Sequence, residues 1–225
     1  MSKSTSITFV VPALNEELGL RPTVENILKV SPQFFSQVEI IIYNDGSKDQ
    51  TGIIAEDLKQ NHSNIKVIHH KKPKNIGYIY KDGLKNSGMD YYMMIHGQND
   101  ISIESLEKIF STRSNLVIPF QENIQERPLL RQIISKIFVR YINVTTNNNL
   151  KYYNHYVLIK KSLLDNMQIN TNSYAFQAEV VLKLLELGVE YKEVGVIDDF
   201  SNKRATKAFK FRNVWGVISF LLRLL

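Results

Sequence analysis

The sequence predicts an α/β protein with a mostly parallel central sheet and helices on both faces. Short apolar runs alternate with stretches of helical periodicity, the order of consecutive βαβ units. The runs lack a polar alternate, as in strands buried on both faces. The 225 residues, 44% apolar and 22% charged, suffice for one domain with a core that needs no staples.

The elements follow in order. Residues 7–11 are β-branched and apolar, and Pro12 stops them, so they read as the first strand. Residues 16–30 place Leu20, Val24, Ile27 and Leu28 near helical spacing. A second strand over 38–43 closes in the turn cluster Asn44-Asp45-Gly46-Ser47. Residues 50–60 read as a helix through Ile53, Ile54 and Leu58, 65–69 as a strand, 79–87 as a helix and 91–95 as the fourth strand. A helix over 103–110 and a strand over 116–120 follow. The second half is less regular. It offers a helix over 129–144, a strand over 153–160, a helix over 174–187 capped by Gly188, and a strand over 190–197. No repeat, low-complexity stretch or Pro/Gly linker divides the chain. One domain is therefore expected over 1–206, followed by a basic amphipathic C-terminal helix over 207–225.

Charge is polarised. Asp199 is the last acid. The six basic residues after it, Lys203, Arg204, Lys207, Lys210, Arg212 and Arg223, equal the whole net charge of +6. A uniformly basic face would suggest nucleic acid. A basic tail carrying Phe209, Phe211, Trp215, Phe220 and several leucines suggests an anionic membrane surface instead. Lys207, Lys210, Asn213, Gly216 and Ser219 recur at steps of three and leave a broad apolar face. Such a helix can also pack into a core or join two subunits as a homodimer; an in-plane membrane helix is the reading adopted. The absence of cysteine excludes disulfides, thiolate zinc sites and cysteine nucleophiles. No apolar run reaches bilayer-spanning length, and the polar N-terminus does not resemble a secretory signal. A cytoplasmic protein, peripheral on the inner membrane face, is expected.

In open α/β sheets ligands bind beyond the carboxyl ends of strands. Three polar clusters fall there: Pro12-Ala13-Leu14-Asn15-Glu16, Asn44-Asp45-Gly46-Ser47 with Asp49 and Thr51, and His96-Gly97-Gln98-Asn99-Asp100. Singly, each has a bland explanation. Asn15, Ser47 or Asp49 can cap a helix, and Asn44-Asp45-Gly46 can be only a turn. Together they point to one cleft.

The same motifs, in order, resemble the family 2 glycosyltransferases of GT-A fold. Val11 to Glu16 resembles their opening, Asn44 to Ser47 with Asp49 and Thr51 their next signature, and Asn75-Ile76-Gly77 followed by Gly83 their third. Phe176-Gln177-Ala178-Glu179, then Gly188 and Glu193-Val194, is similar to the later part of the dolichol- and polyprenyl-phosphate sugar transferases. Thr206-Lys207-Ala208 resembles the element that closes their catalytic region. The resemblance implies a nucleotide-diphosphate sugar donor, UDP- or GDP-linked, and a lipid-phosphate or cell-envelope glycan acceptor, with inversion. It implies that Pro12, Ala13, Asn15, Glu16, Asp45 and Gly77 bind the nucleotide. Free N–H groups after the first strand would assist. Glu179, Arg204 and Lys207 would serve catalysis.

The family also carries Asp-x-Asp after the fourth strand, holding Mg²⁺ or Mn²⁺ against the diphosphate. Here that position reads His96-Gly97-Gln98, with Asp100 two residues on. Three explanations stand. Asp100 holds the metal with Gln98 or His96 beside it; Lys or Arg replaces the metal; or the chain is a degenerate, membrane-associated scaffold. His96 can equally be a polar residue at a strand end with neither role. If the acceptor is a hydroxyl, Glu179 is the candidate base; an ionised lipid phosphate needs none. Glu179 then orients the site, and Arg204 and Lys207 meet phosphate charge. The alternative for Glu179 is a helix-N-terminal carboxylate favoured by the dipole.

Overall fold

The computed structural model describes residues 5–200 and 211–224. Its strands are β1 (Ser6–Ala13), β2 (Gln37–Asn44), β3 (Ile65–His69), β4 (Tyr91–Met94), β5 (Leu116–Gln121), β6 (Leu158–Lys160) and β7 (Lys192–Val196). They form one sheet in the order β3-β2-β1-β4-β6-β5-β7. The β1–β2, β2–β3, β1–β4 and β5–β7 pairs are parallel; only β6 runs against its neighbours β4 and β5. The connections step outward on opposite sides of β1, so a crevice opens between the ends of β1 and β4.

The unalternating strands feed two cores. Ile7, Phe9 and Val11 of β1 and Ile40 and Ile42 of β2 enter one cluster. Val10, Ile41 and Tyr43 enter the other. Helices α1 (Leu20–Val30), α2 (Thr51–Asn61) and α4 (Ile103–Ser111) cover the first face. Helices α3 (Ile76–Asn86), α5 (Leu129–Thr146), α6 (Phe176–Glu186) and α7 (Phe211–Leu222) cover the second. The expected layering is therefore present.

Three boundaries differ from expectation. The first helix begins at Leu20 rather than 16 because residues 16–19 form a turn, with the Gly19 and Leu20 N–H groups both on the Glu16 carbonyl. The α3 helix begins earlier, at Ile76, after Asn75 at φ +85°. The strand expected over 153–160 shrinks to Leu158–Lys160. Tyr153 and Tyr156 are buried, but as loop side chains, which carry the same apolar signature as a strand.

The tail helix α7 rests on the domain. Phe220 is buried, Val217, Leu221 and Leu224 pack beside it, and the Tyr141 hydroxyl donates to the Leu221 carbonyl at 3.1 Å. Gly216, expected on a polar outer stripe, lies against Ser173. Trp215, Ile218 and Leu222 remain exposed. Lys207 and Lys210 lie outside the described residues. No helix among the described residues is long and apolar enough to cross a membrane.

Candidate functional site

The loops after β1, β2 and β4 are tied into one unit. The Asn15 N–H donates to Ser47 Oγ at 3.0 Å, and Asn15 Oδ1 accepts from the Lys48 N–H at 2.8 Å. The Glu16 N–H donates to Thr51 Oγ1 at 2.8 Å, and the Glu17 N–H to Asp49 Oδ2 at 3.2 Å. Glu17 Oε2 in turn accepts from the Gln50 N–H at 3.1 Å. Asn15 sits at φ +54° and Gly46 at φ +77°, a left-handed turn that asparagine and glycine tolerate. The third loop joins through the Gly97 N–H on the Pro12 carbonyl at 3.0 Å and the Asn99 N–H on Thr23 Oγ1 at 2.8 Å. Asn15, Ser47 and Asp49 are thus staples between loops before they are caps. The N–H groups of residues 15–17, which the sequence offered to a ligand, are already taken.

Asp45 lies at the centre of this unit, buried, one residue past β2. Its N–H donates to the Ala13 carbonyl at 2.8 Å. Its Oδ1 accepts from the Lys74 N–H at 2.9 Å and meets His70 Nδ1 at 2.7 Å. Its Oδ2 has no protein partner among the described residues. The His70 ring stands edge-on to half-exposed Tyr78, with centroids 5.9 Å apart. The arrangement presents one anchored carboxylate with an open oxygen beside two rings.

The third loop is different. Asp100 accepts from the Tyr156 hydroxyl on one oxygen and from the Gln98 amide on the other, the latter at 2.8 Å. Burial pushes Asp100 up to about 6, with the neighbouring Asp198 adding to the rise and Tyr156 opposing it. Burial pushes His96 down to about 4, so it is a neutral imidazole near neutral pH. Its ring stands edge-on to Tyr156, with centroids 5.1 Å apart. Asp198, just past β7, accepts from Gln121 Nε2 and from His155 Nε2, the latter at 3.1 Å. His155 Nδ1 accepts the Tyr156 N–H at 2.7 Å, which leaves the proton on Nε2 for Asp198. Burial alone would raise Asp198, but these hydrogen bonds hold it below the ordinary carboxylate value. Two adjacent carboxylates are thus pushed in opposite directions.

Asp100 gives a pH signature. Its protonated form suits the folded state. That stabilisation is full below its ordinary value of 3.8 and is lost as pH rises through about 6. Asp100→Asn is expected to flatten the fall of the unfolding free energy between about pH 4 and about pH 6, because the group that titrates there is gone. Urea melts across pH check this; parallel profiles for variant and wild type would refute it.

Gly77 and Glu179 both hold the loop over residues 170–172. The Gly77 N–H donates to the Asn172 carbonyl at 3.3 Å, and a Cβ on Gly77 would stand 2.8 Å from the Asn172 backbone. Glu179 holds that same loop. Its Oε1 accepts the Asn170 N–H and its Oε2 the Thr171 N–H, both at 2.8 Å, and Lys183 Nζ reaches Oε1 at 2.7 Å. Burial raises Glu179, but Lys183 and the two N–H groups outweigh it and hold it below its ordinary value. As folded, its carboxylate serves the loop. Gln177, in the same motif, keeps a buried Nε2 without a partner among the described residues. Tyr174 stands near Glu16, whose charge adds to the burial that raises its hydroxyl. Arg204 and Lys207 lie outside the described residues.

The donor set after β4 does not fit a divalent cation. Both Asp100 oxygens are spent on Tyr156 and Gln98, and the Gln98 amide nitrogen donates rather than accepts. No group of three His, Asp or Glu placed to hold an ion occurs among the described residues. A hard cation takes several open oxygens, and Asp100, the one carboxylate of this loop, already accepts a hydrogen bond on each of its own. The sequence reading missed His70, His155, Tyr156 and Asp198. Its own rule, polar residues just past a strand's carboxyl end, would have found His70 after β3 and Asp198 after β7.

Comparison with known proteins bears on the family and the fold. The family model for glycosyl transferase family 2 matches residues 8–166. The uncharacterized glycosyltransferase EpsJ of Bacillus subtilis is 27% identical over 103 residues, 46% of this chain and 29% of that protein. A dolichyl-phosphate beta-glucosyltransferase of Trichomonas vaginalis is 28% identical over 109 residues, 45% of this chain and 32% of that protein. The matches thus span about a third of these relatives' length. Glucosyl-3-phosphoglycerate synthase from Mycobacterium tuberculosis, solved with Mg²⁺ and UDP, superposes with a TM-score of 0.72 at 16% identity, covering 98% of this chain and 79% of that one. Another structure of that synthase holds Mn²⁺, UDP and phosphoglyceric acid. The likeness to these structures establishes the shared GT-A fold.

Proposed function

The chain belongs to glycosyl transferase family 2, and from that premise we propose that it moves a sugar from a UDP- or GDP-linked donor to a lipid-phosphate or cell-envelope glycan acceptor, with inversion. The observation that carries this is Asp45. It is a buried carboxylate just past the carboxyl end of β2, bonded to the end of β1 through its N–H, with one oxygen anchored by Lys74 and His70 and the other open. A base N–H donates to Oδ2, and Tyr78 and His70 form a ring wall beside it. Pro12, Ala13, Asn15 and Glu16 shape the ribose side. Gly77 keeps α3 close to the 170–172 loop, and Glu179 positions that loop.

The choice of acceptor follows from Glu179. A hydroxyl acceptor needs a base that readily takes a proton, and Lys183 with the Asn170 and Thr171 N–H groups holds Glu179 below its ordinary value, which makes it a weak one. An ionised lipid phosphate attacks the anomeric carbon directly. Its oxygen forms the new C–O bond, the bond to the nucleotide diphosphate breaks, and the diphosphate departs with the electron pair. The dolichyl-phosphate relative is consistent with this class of acceptor. Such an acceptor lives in the bilayer, in keeping with a peripheral protein on the cytoplasmic face whose α7 helix exposes Trp215, Ile218 and Leu222.

The Mg²⁺ or Mn²⁺ held by the solved neighbours supplies charge neutralisation at a diphosphate. Here cationic side chains take that place in the proposal, with Arg204 and Lys207 as the named candidates. Calorimetric titration with UDP, GDP and their sugar conjugates, with and without Mn²⁺, tests this. Binding independent of Mn²⁺ is expected. Binding that requires Mn²⁺ would return Asp100 and Gln98 to the ligand role. The replacement of Asp-x-Asp by His96-Gly97-Gln98 favours one second reading, a non-catalytic membrane-associated scaffold. Turnover of any nucleotide sugar excludes it.

A further inference from the structure

We propose that the outer face of α5, with the cationic groove beside it, docks onto an anionic lipid bilayer. This rests on the peripheral membrane placement proposed above, and it assigns a surface that neither the motifs nor the tail pointed to. The α5 helix is apolar on two faces. Phe138, Val139, Tyr141 and Ile142 pack into the second core. On the outside, Leu129, Ile133 and Ile137 recur at steps of four, with Leu130 and Ile134 alongside and Val144 extending the stripe. All six are exposed, Leu129 by 69%, Ile137 by 63% and Val144 by 74%. A contiguous exposed apolar stripe on a helix whose other face already packs into the core marks an interface.

Charge selects the occupant. The α5 sequence contains Arg131, Lys136 and Arg140 and no acid. Neither Lys136 nor Arg140 has an ion pair among the described residues. Both line a groove of about 430 Å³ that also includes Ser135, Asn143, Lys151 and Tyr152. Its three cations and absence of acids suit lipid phosphate groups. A second copy would bring like charges face to face across an isologous contact, whereas an anionic bilayer supplies apolar depth and negative charge together. The neighbouring helix, tied to α5 by the Tyr141 bond to Leu221, exposes Trp215, an interfacial residue type. The chain also enters α5 directly from the segment whose Gln121 and Asn123 hold Asp198.

The test is co-sedimentation of the full chain with phosphatidylcholine vesicles and with mixed phosphatidylcholine–phosphatidylglycerol vesicles. Wild type is expected to sediment with the mixed vesicles. Ile133→Ser with Ile137→Ser should weaken this by about tenfold or more. Lys136→Ser with Arg140→Ser should abolish the preference for phosphatidylglycerol. Unchanged circular dichroism and melting temperature show that these exposed substitutions leave the fold intact. A Trp215→Ser variant separates the two proposals. If it loses binding while the Ile133/Ile137 variant sediments like wild type, the α5 proposal falls and peripheral placement stands on α7. If wild type binds neither vesicle, both fall. A dimer in sedimentation velocity that the Ile133/Ile137 variant dissolves, with no vesicle binding, gives the face to a second copy and overturns the proposal.

Discussion

Asp45→Ala is expected to weaken UDP or GDP binding about 10- to 100-fold, the equivalent of one hydrogen bond to a charged group, about 1.5–3 kcal/mol. The effect should exceed that of any other single change in the pocket because Asp45 acts twice. In the proposed pocket its open oxygen meets the base, and its anchored oxygen holds the Lys74 N–H and His70. Asp45→Asn separates the two actions. It retains an acceptor for the Lys74 N–H, so the loop keeps its shape, and it loses the charge that a base N–H meets. Calorimetry on both variants gives the partition. Unchanged affinity in Asp45→Ala would remove this pocket as the nucleotide site.

Asp198→Ala carries the largest expected loss of stability, about 2–4 kcal/mol, because it strands two buried donors, His155 Nε2–H and the Gln121 amide. The urea midpoint should fall with an unchanged slope. The sign of the pH dependence is fixed by the lowered carboxyl. Asp198 contributes stability above the unfolded carboxylate value of about 4 and loses it as pH falls through its own lower value. The variant should therefore be less sensitive to acid over that range. A change below about 0.5 kcal/mol, typical of surface positions, would show that the cluster is not coupled to folding.

The first five strands were legible because each is a short run rich in apolar residues, all but the edge strand β3 largely buried, and Asp45 because it follows such a run directly. Several misreadings share one cause, which is partners distant in sequence. Residues 16–19 have helical composition, but Thr51 and Asp49 claim the Glu16 and Glu17 N–H groups, so the helix starts at Leu20. Asp100 was visible as the nearest carboxylate to the altered motif, yet Tyr156, 56 residues away, occupies it. Glu179 was found by its motif, while the backbone groups that consume its oxygens come from a loop that no pattern describes. In α5 the periodicity announced a helix and could not tell which of its two apolar faces the domain would leave uncovered.

The reciprocal bonds between the loops after β1 and β2 have a thermodynamic consequence for recognition. Asn15, Glu17, Ser47, Asp49 and Thr51 immobilise one another without help from a nucleotide. The conformational entropy of ordering both segments is lost when the chain folds, not when the ligand arrives. The loops after β1 and β2 are therefore rigid before any ligand arrives, and a nucleotide seated on them, as proposed, would be selected by shape.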